Sequence, residues 1–224
     1  MNIEKYLIEL VVKYEKTNSI LDEAVINEIK KIILSFEKKK INPIIVFGSS
    51  IKKTNIKDAP KVKLLVSIKE KDKRKPEEIL QLYFDYFTQF GENVSKSNNQ
   101  IIFNYKGINF NILLAKKKAN TYNFHVLNNL NLNKEIVTNF NIHTLNVVET
   151  KFQREIILMK LWREKHQLNF PTMYLELVVI KVLRKCKKKN LFSRILRILD
   201  FLRKELSMKN FTTLPILIIL YQTI

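Results

Sequence analysis

The sequence predicts an α+β fold, in which a mixed sheet flanked by helices is followed by a helical half. Apolar residues repeat at three- and four-residue spacing near the beginning of the chain and again after residue 149. Between these regions lie short apolar runs rich in β-branched residues, which are typical of buried strands. The hydrophobic fraction of 46% and the aromatic fraction of 10% indicate a folded protein.

The helices and strands of the first half can be assigned in order. Residues 3–13 and 20–40 have helical periodicity, and Asn42-Pro43 ends the second helix. Residues 44–47 and 63–68 are predicted strands because they are apolar and too short for helices. Pro76 begins another helix after a charged loop.

The remaining elements complete the sheet and form the helical half. Strands are expected near Val94, at 101–105 and at 108–114, and Lys106-Gly107 joins the last two as a hairpin. A basic, Asn-rich connection is expected from Ala115 to about Asn146. Helical patterns follow at residues 152–165, 172–189 and 191–206. We therefore expect a core at 1–146 and a helical domain at 147–224 that ends in a short apolar strand.

The charge of the chain favours a polyanionic partner. Forty Lys and Arg residues against 21 Asp and Glu give a net charge of +19, and nucleic acid is the commonest polyanion available. Codon drift in an AT-rich genome is an alternative source of lysine. The single cysteine, Cys186, excludes an intrachain disulfide framework. With no signal-like amino terminus and no apolar run long enough for a membrane span, we expect a soluble intracellular protein, cytoplasmic or organellar, with no membrane partner.

One segment suggests a specific family. A strand leads into a turn at Gly48-Ser49, which we expect to open a short helix through Lys52-Lys53-Thr54, and a second strand begins at Lys61-Val62-Lys63. This order resembles the nucleotidyltransferase fold of CCA-adding enzymes, 2'-5'-oligoadenylate synthetases and bacterial cyclic-oligonucleotide synthetases. In that family the second strand carries Asp-x-Asp, whose carboxylates hold two Mg²⁺ ions, and a third aspartate follows in the hairpin. Those three positions fall here on Lys61, Lys63 and Asn111. Side chains alternate between the two faces of a strand, so we expect both lysines on the same face. Asp58 precedes the strand but falls on a loop in the family pattern.

The helical half carries a second resemblance. Leu158-Met159-Lys160-Leu161-Trp162 and the later segment from Pro171 to Leu177 resemble the Leu-x-Lys-x-Trp and Pro-x-x-Tyr-x-Leu-Glu-Leu segments of oligoadenylate synthetases. By that resemblance Lys160 would contact the donor triphosphate, Tyr174 would stack on the donor base, and Ser49 would hydrogen-bond a phosphate. The candidate phosphate or nucleotide site therefore comprises Gly48, Ser49, Lys61, Lys63, Lys160 and Tyr174.

These observations predict a catalytically inactive pseudo-nucleotidyltransferase that needs no metal or other cofactor and binds RNA, alone or as a subunit of a ribonucleoprotein such as a ribosome. Alternatives are an active nucleotidyltransferase with an atypical metal site and a nucleotide-sensing regulatory protein. A protein partner could cover the apolar segment at 214–220. Besides Lys38-Lys39-Lys40, the residues expected to bind RNA are Lys71, Lys73, Arg74, Lys75, Lys116, Lys117, Lys118, Arg184, Lys185, Lys187, Lys188 and Lys189.

Overall fold

The computed structural model describes residues 2–17, 23–56, 61–118, 121, 124–129 and 134–207. The predicted apolar segment at 214–220 and Asp58 lie outside these residues. The helices are α1 (Ile3–Thr17), α2 (Glu23–Glu37), α3 (Pro76–Phe87), α4 (Phe140–Thr150), α5 (Gln153–Lys165), α6 (Thr172–Leu183) and α7 (Leu191–Ser207). The strands are β1 (Ile45–Phe47), β2 (Lys61–Ile68), β3 (Glu92–Ser97), β4 (Gln100–Tyr105), β5 (Ile108–Lys117), β6 (His125–Asn129) and β7 (Lys134–Thr138).

The sheet is mixed, which confirms the predicted α+β class. Its strand order is β1-β2-β5-β4-β3, with β6 on β5 and β7 on β6. The β2–β5 pair is parallel, whereas β1 and β4 run antiparallel to these two strands. The hairpin predicted at Lys106-Gly107 is present, because Tyr105 pairs with Ile108.

The back of the sheet is covered by α2 and α3. Val62, Leu64 and Val66 of β2 are fully buried in a cluster that also includes Ile33 of α2 and Tyr83 of α3. Period-two alternation along β2 explains this face, because successive side chains point to opposite sides of a strand. Burying each large apolar side chain contributes about 1.5–3 kcal/mol, so this layer fixes the position of β2.

Two local expectations were wrong. The expected connection from Ala115 to Asn146 contains the end of β5, the β6–β7 hairpin and the start of α4. The turn at Gly48-Ser49 does not open a helix but makes a few turn hydrogen bonds, such as Thr54 N to the Ser49 carbonyl at 2.8 Å. Lys53 has a φ of 55°, a left-handed conformation that cannot continue a right-handed helix.

Contacts divide the chain into two units, residues 16–145 (the α/β unit) and residues 1–15 with 146–224 (the helical unit). The sequence-based boundary instead grouped α1 with the sheet. The carboxylate of Glu4 accepts hydrogen bonds from the backbone N–H groups of Leu191 and Phe192, at 2.7 and 2.8 Å, and so caps α7. Glu15 pairs with Arg154 at 2.8 Å. No helix among the described residues is long and apolar enough to cross a lipid bilayer.

Candidate functional site

The candidate site in the α/β unit begins with two lysines on one face of β2. In the parallel register Lys61 lies beside Asn109 and Lys63 beside Asn111. Side chains two residues apart on a strand, and those of paired residues, point to the same side of a sheet. Lys61, Lys63, Asn109 and Asn111 therefore share a surface, which we call the front face, whereas Val62 points into the core on the back. This arrangement confirms the alternation expected for the two lysines.

The Gly48 turn is packed tightly against this face. Gly48 has a φ of +95°, and a Cβ atom there would lie 3.0 Å from Cδ of Lys63. The hydroxyl of Ser50 donates a 2.5 Å hydrogen bond to the Lys61 carbonyl. Phe47, just before the turn, pairs with Lys63. The sequence-predicted residues Gly48, Lys61 and Lys63 are thus brought together, and Ser49 lies in the same turn.

Asn111, which the sequence resemblance aligns with the family's third aspartate, contacts a neighbouring strand. It is 5% exposed, and its side-chain amide donates to Oε1 of Gln100 at 2.8 Å. Gln100 was not a candidate in the sequence analysis. Only the β4–β5 register brings the two amides together, and this register is not visible in a local motif.

The residues on the front face do not fit the Mg²⁺ ions that the fold family implies. Magnesium prefers oxygen ligands, especially carboxylates, and a lysine ammonium has no electron pair to offer a metal. Lys61 and Lys63 instead place two cationic groups on this surface, and Asn111 already donates to Gln100. Within the part of the chain that the structure describes, no three His, Cys, Asp or Glu side chains are grouped to hold a metal ion.

Lys160 and Tyr174 belong to the interior of the helical unit. The Lys160 ammonium pairs with Oε1 of Glu176 at 2.8 Å, and the two side chains are only 3% and 1% exposed. Tyr174 is 4% exposed and packs against Phe170, with ring centroids 5.9 Å apart. Burial raises the pKa of the Tyr174 phenol. Their roles toward a nucleotide stay predictions, and the ion pair with Glu176 was missed although Glu176 stands in the same motif.

The basic residues fall into two kinds. Arg74 and Lys116 are held by internal partners: Arg74 pairs with Glu37 and Asp72, and Lys116 Nζ donates to the carbonyls of Asp72 and Arg74 at 3.1 and 3.0 Å. The other basic residues predicted to bind RNA are exposed: Lys38, Lys39, Lys40, Lys71, Lys73, Lys75, Lys117, Lys118, Arg184, Lys185, Lys187, Lys188 and Lys189.

Comparison with solved structures identifies the fold. The CdnE cyclic dinucleotide synthase of Elizabethkingia meningoseptica, solved with GTP and Apcpp, matches with a TM-score of 0.72 at 14% identity, over 89% of this chain and 84% of that one. The CdnE c-UMP-AMP synthase of Rhodothermus marinus matches with a TM-score of 0.60 at 12% identity, over 86% and 82% of the two chains.

CdnC of E. coli MS115-1, solved in complex with HORMA-deltaN, matches with a TM-score of 0.65 at 16% identity, over 79% of this chain. This chain spans only 62% of the length of CdnC. No protein-family profile and no curated protein sequence matches the chain. The chain therefore has the nucleotidyltransferase fold, as its Gly-Ser turn and second strand predicted.

Proposed function

We propose that this nucleotidyltransferase-fold protein does not transfer nucleotides and that it binds RNA through the phosphate backbone. The observation that carries this proposal is the front face, where Lys61 and Lys63 stand beside Asn109 and Asn111. The sequence resemblance assigns Lys61, Lys63 and Asn111 to the positions of the family's metal-binding carboxylates. A cationic front face reverses the charge that a two-metal site requires.

The same lysines are suited to hold phosphate directly. Ammonium groups make charge-assisted hydrogen bonds to phosphate oxygens, and Lys61 and Lys63 are each partly exposed on one face. The adjoining Gly48 turn has no side chain at its closest approach to Lys63, so the backbone of the turn lies next to that lysine, and the Ser50 hydroxyl bonds the Lys61 carbonyl. A nucleotide or RNA phosphate bound here would not need a divalent metal.

The overall charge supports RNA as the partner. A net charge of +19 is much larger than a small-molecule site needs, and many exposed lysines lie outside the front face. Lysine–phosphate contacts would bind RNA with little base specificity, as expected for a protein that works within a ribonucleoprotein.

Two assays on the purified chain test the proposal. Incubation with labelled nucleoside triphosphates, RNA primer and Mg²⁺ or Mn²⁺ should give no product, and product above a heat-denatured control would refute inactivity. Filter binding should show RNA affinity that falls steeply with salt, because bound counterions are released from the phosphates. A flat salt response would refute phosphate-based binding.

A third assay addresses the front face. ATP affinity should be the same with and without EDTA, and Lys61→Ala/Lys63→Ala should lower it at least about tenfold through loss of two charge-assisted contacts. The control pair Lys5→Ala/Lys165→Ala removes two exposed lysines from helices and should leave ATP binding unchanged. ATP binding that requires Mg²⁺, or that ignores the Lys61/Lys63 pair, would contradict this role. ATP binding without RNA binding would favour the nucleotide-sensing alternative.

A further inference from the structure

Three basic segments that are far apart in the sequence meet at one end of the α/β unit. Ile68, the last residue of β2, pairs with Lys116 of β5 and also forms a bridge with Ile41. The backbone N–H of Lys69 donates to the Lys40 carbonyl at 2.9 Å, and its ammonium donates to the Lys39 carbonyl at 2.8 Å. Residues 38–40, 69–75 and 116–118 therefore lie together, and we call this surface the basic end.

A buried charge network holds the basic end together. The guanidinium of Arg74 donates to both carboxylate oxygens of Glu37, at 2.8 and 2.9 Å, and Nε donates to Asp72 at 3.0 Å. The Glu37 and Asp72 side chains are 11% and 5% exposed. Lys116 ties β5 to the same loop through the carbonyls of Asp72 and Arg74. The loop from Lys69 to Lys75 is thus fixed to both α2 and β5.

This network leaves an almost uniformly cationic surface. Arg74 pairs with Glu37 and Asp72, and the Lys40 ammonium lies 3.6 Å from Glu37, so two cations face the two carboxylates. Glu70 is the one acidic residue of the three segments that lies outside this network. The lysines at 38–40, 69, 71, 73, 75, 117 and 118 are exposed. Since the network orders the backbone that carries them, less conformational entropy is lost when they bind a ligand.

The basic end is a different place from the front-face site. Lys63 and Ile68 are five residues apart along β2, which at about 3.3 Å per residue separates them by about 17 Å. Lys61 and Lys63 stand at the beginning of the strand, and the basic end lies where β2 and β5 finish. The two sites can therefore be disabled separately.

The composition of the basic end indicates what it binds. No aromatic residue occurs in 38–40, 69–75 or 116–118, so these segments offer no row of rings on which successive bases of a single strand could stack. The half-buried Phe124, whose carbonyl accepts a hydrogen bond from the Lys118 N–H at 2.9 Å, adjoins the basic end at one edge. No apolar residue occurs in the three segments either, whereas helices and loops that insert into a membrane interface use apolar side chains. The chemistry that remains is repeated lysine–phosphate contact, which suits the closely spaced phosphates of a double helix.

We infer that the basic end binds the phosphate backbone of double-stranded RNA, without reading its sequence. This inference rests on the proposed RNA-binding function and assigns the duplex contact to residues away from the front face. Lys39, Lys71 and Lys73 contact phosphates, whereas Arg74 is a positioning residue that acts through the loop.

The experiment compares three forms of the full chain by fluorescence anisotropy with a short RNA duplex, across a range of salt concentrations. The test variant is Lys39→Gln/Lys71→Gln/Lys73→Gln, and the control is Lys5→Gln/Lys165→Gln/Arg197→Gln, which removes the same charge from exposed positions of the helical unit. The test variant should lose about one unit of salt slope for each lysine, about three in all, and bind at least about tenfold more weakly at moderate salt. The control should keep most of the slope and affinity.

The outcomes distinguish this inference from the proposed function. No binding of any RNA by the unmodified chain would refute the proposed function itself. Duplex binding that falls equally in the test and control variants would keep the proposed function and overturn the inference, because only net charge would matter. Tighter binding to single-stranded RNA of the same length, or to phosphatidylserine vesicles, would also overturn it. Circular dichroism of both variants checks that a loss of binding is not a loss of folding.

Discussion

Replacing Lys160 with methionine should strongly destabilise the helical unit. The Lys160 ammonium and the Glu176 carboxylate are 2.8 Å apart, and neither side chain is more than 3% exposed. Methionine has a similar length and no charge, so the substitution keeps the packing volume but leaves the Glu176 carboxylate buried without its cation.

The expected magnitude follows from the geometry of the pair. Two unit charges 2.8 Å apart interact by about 6 kcal/mol at an effective dielectric constant of about 20. Relaxation and water entry recover part of this, and breaking one partner of a buried pair typically costs about 3–5 kcal/mol. For a chain of this size that loss corresponds to a fall in Tm of roughly 10 °C.

Urea unfolding followed by tryptophan fluorescence measures this effect in the right part of the molecule. The chain has one tryptophan, and Trp162 lies on α5 in the helical unit, stacked against Phe170 at 6.4 Å. Lys165→Met, on the exposed side of the same helix, is the matched control and should change stability by less than about 0.5 kcal/mol. Lys160→Met/Glu176→Leu should recover most of the loss, because it removes both buried charges.

Two results would refute this reasoning. A loss of less than about 1 kcal/mol in Lys160→Met would mean that the buried pair does not stabilise the fold. If Lys160→Met/Glu176→Leu were as unstable as Lys160→Met, the loss of stability would come from altered packing and not from the unpaired charge. If Lys160→Met stayed stable but lost ATP binding, the phosphate role suggested by the family resemblance would be favoured instead.

Two further predictions concern the α/β unit. Hydrogen bonds from Arg74 lower the pKa of Asp72 from its ordinary 3.8 to about 2. The ionised Asp72 carboxylate should therefore add about 2 kcal/mol to the free energy of unfolding above about pH 5, and this contribution should be lost as the pH falls through about 2. In urea unfolding, the difference in unfolding free energy between the unmodified chain and Asp72→Asn should shrink in acid. A difference that does not change with pH would contradict this prediction. Gly48→Ala should lower the free energy of unfolding by at least about 1 kcal/mol, and by more than Gly107→Ala. Both glycines have a positive φ, but only at Gly48 would the new methyl group contact another side chain, that of Lys63. Equal losses in Tm, or a difference that persists in a Lys63→Ala background, would argue against that collision.

The sequence predicted the elements whose signals are local. Pro76 and the apolar spacing after it placed α3 correctly, because proline is tolerated at the start of a helix and the buried face repeats every three or four residues. The hairpin at Lys106-Gly107 was equally clear, since Gly107 adopts a φ of +76° at the turn. The alternation of Lys61, Val62 and Lys63 correctly gave the orientation of the two lysines.

Features that depend on distant partners could not be predicted. β6 and β7 are only five residues each and lie within an asparagine-rich stretch, so the local sequence resembles a loop although the two strands pair with each other. Glu37 and Arg74 are 37 residues apart, so nothing in the local sequence distinguished Arg74 from the exposed lysines around it. The burial of Lys160 was missed for the same reason, because its partner Glu176 lies on another helix.

The capping of α7 by Glu4 has a consequence for how the protein folds during synthesis. The α/β unit is continuous in the sequence and can form as soon as residue 145 has left the ribosome. In contrast, α1 is made before the α/β unit, and its Glu4 carboxylate cannot accept hydrogen bonds from α7 until residues 191 and 192 have been made. Closing such a long loop is slow, because the entropy of chain closure is lost before the contacts form. In the interval the apolar side of α1, with Val11 fully buried in the finished fold, is exposed to chaperones and to neighbouring nascent chains.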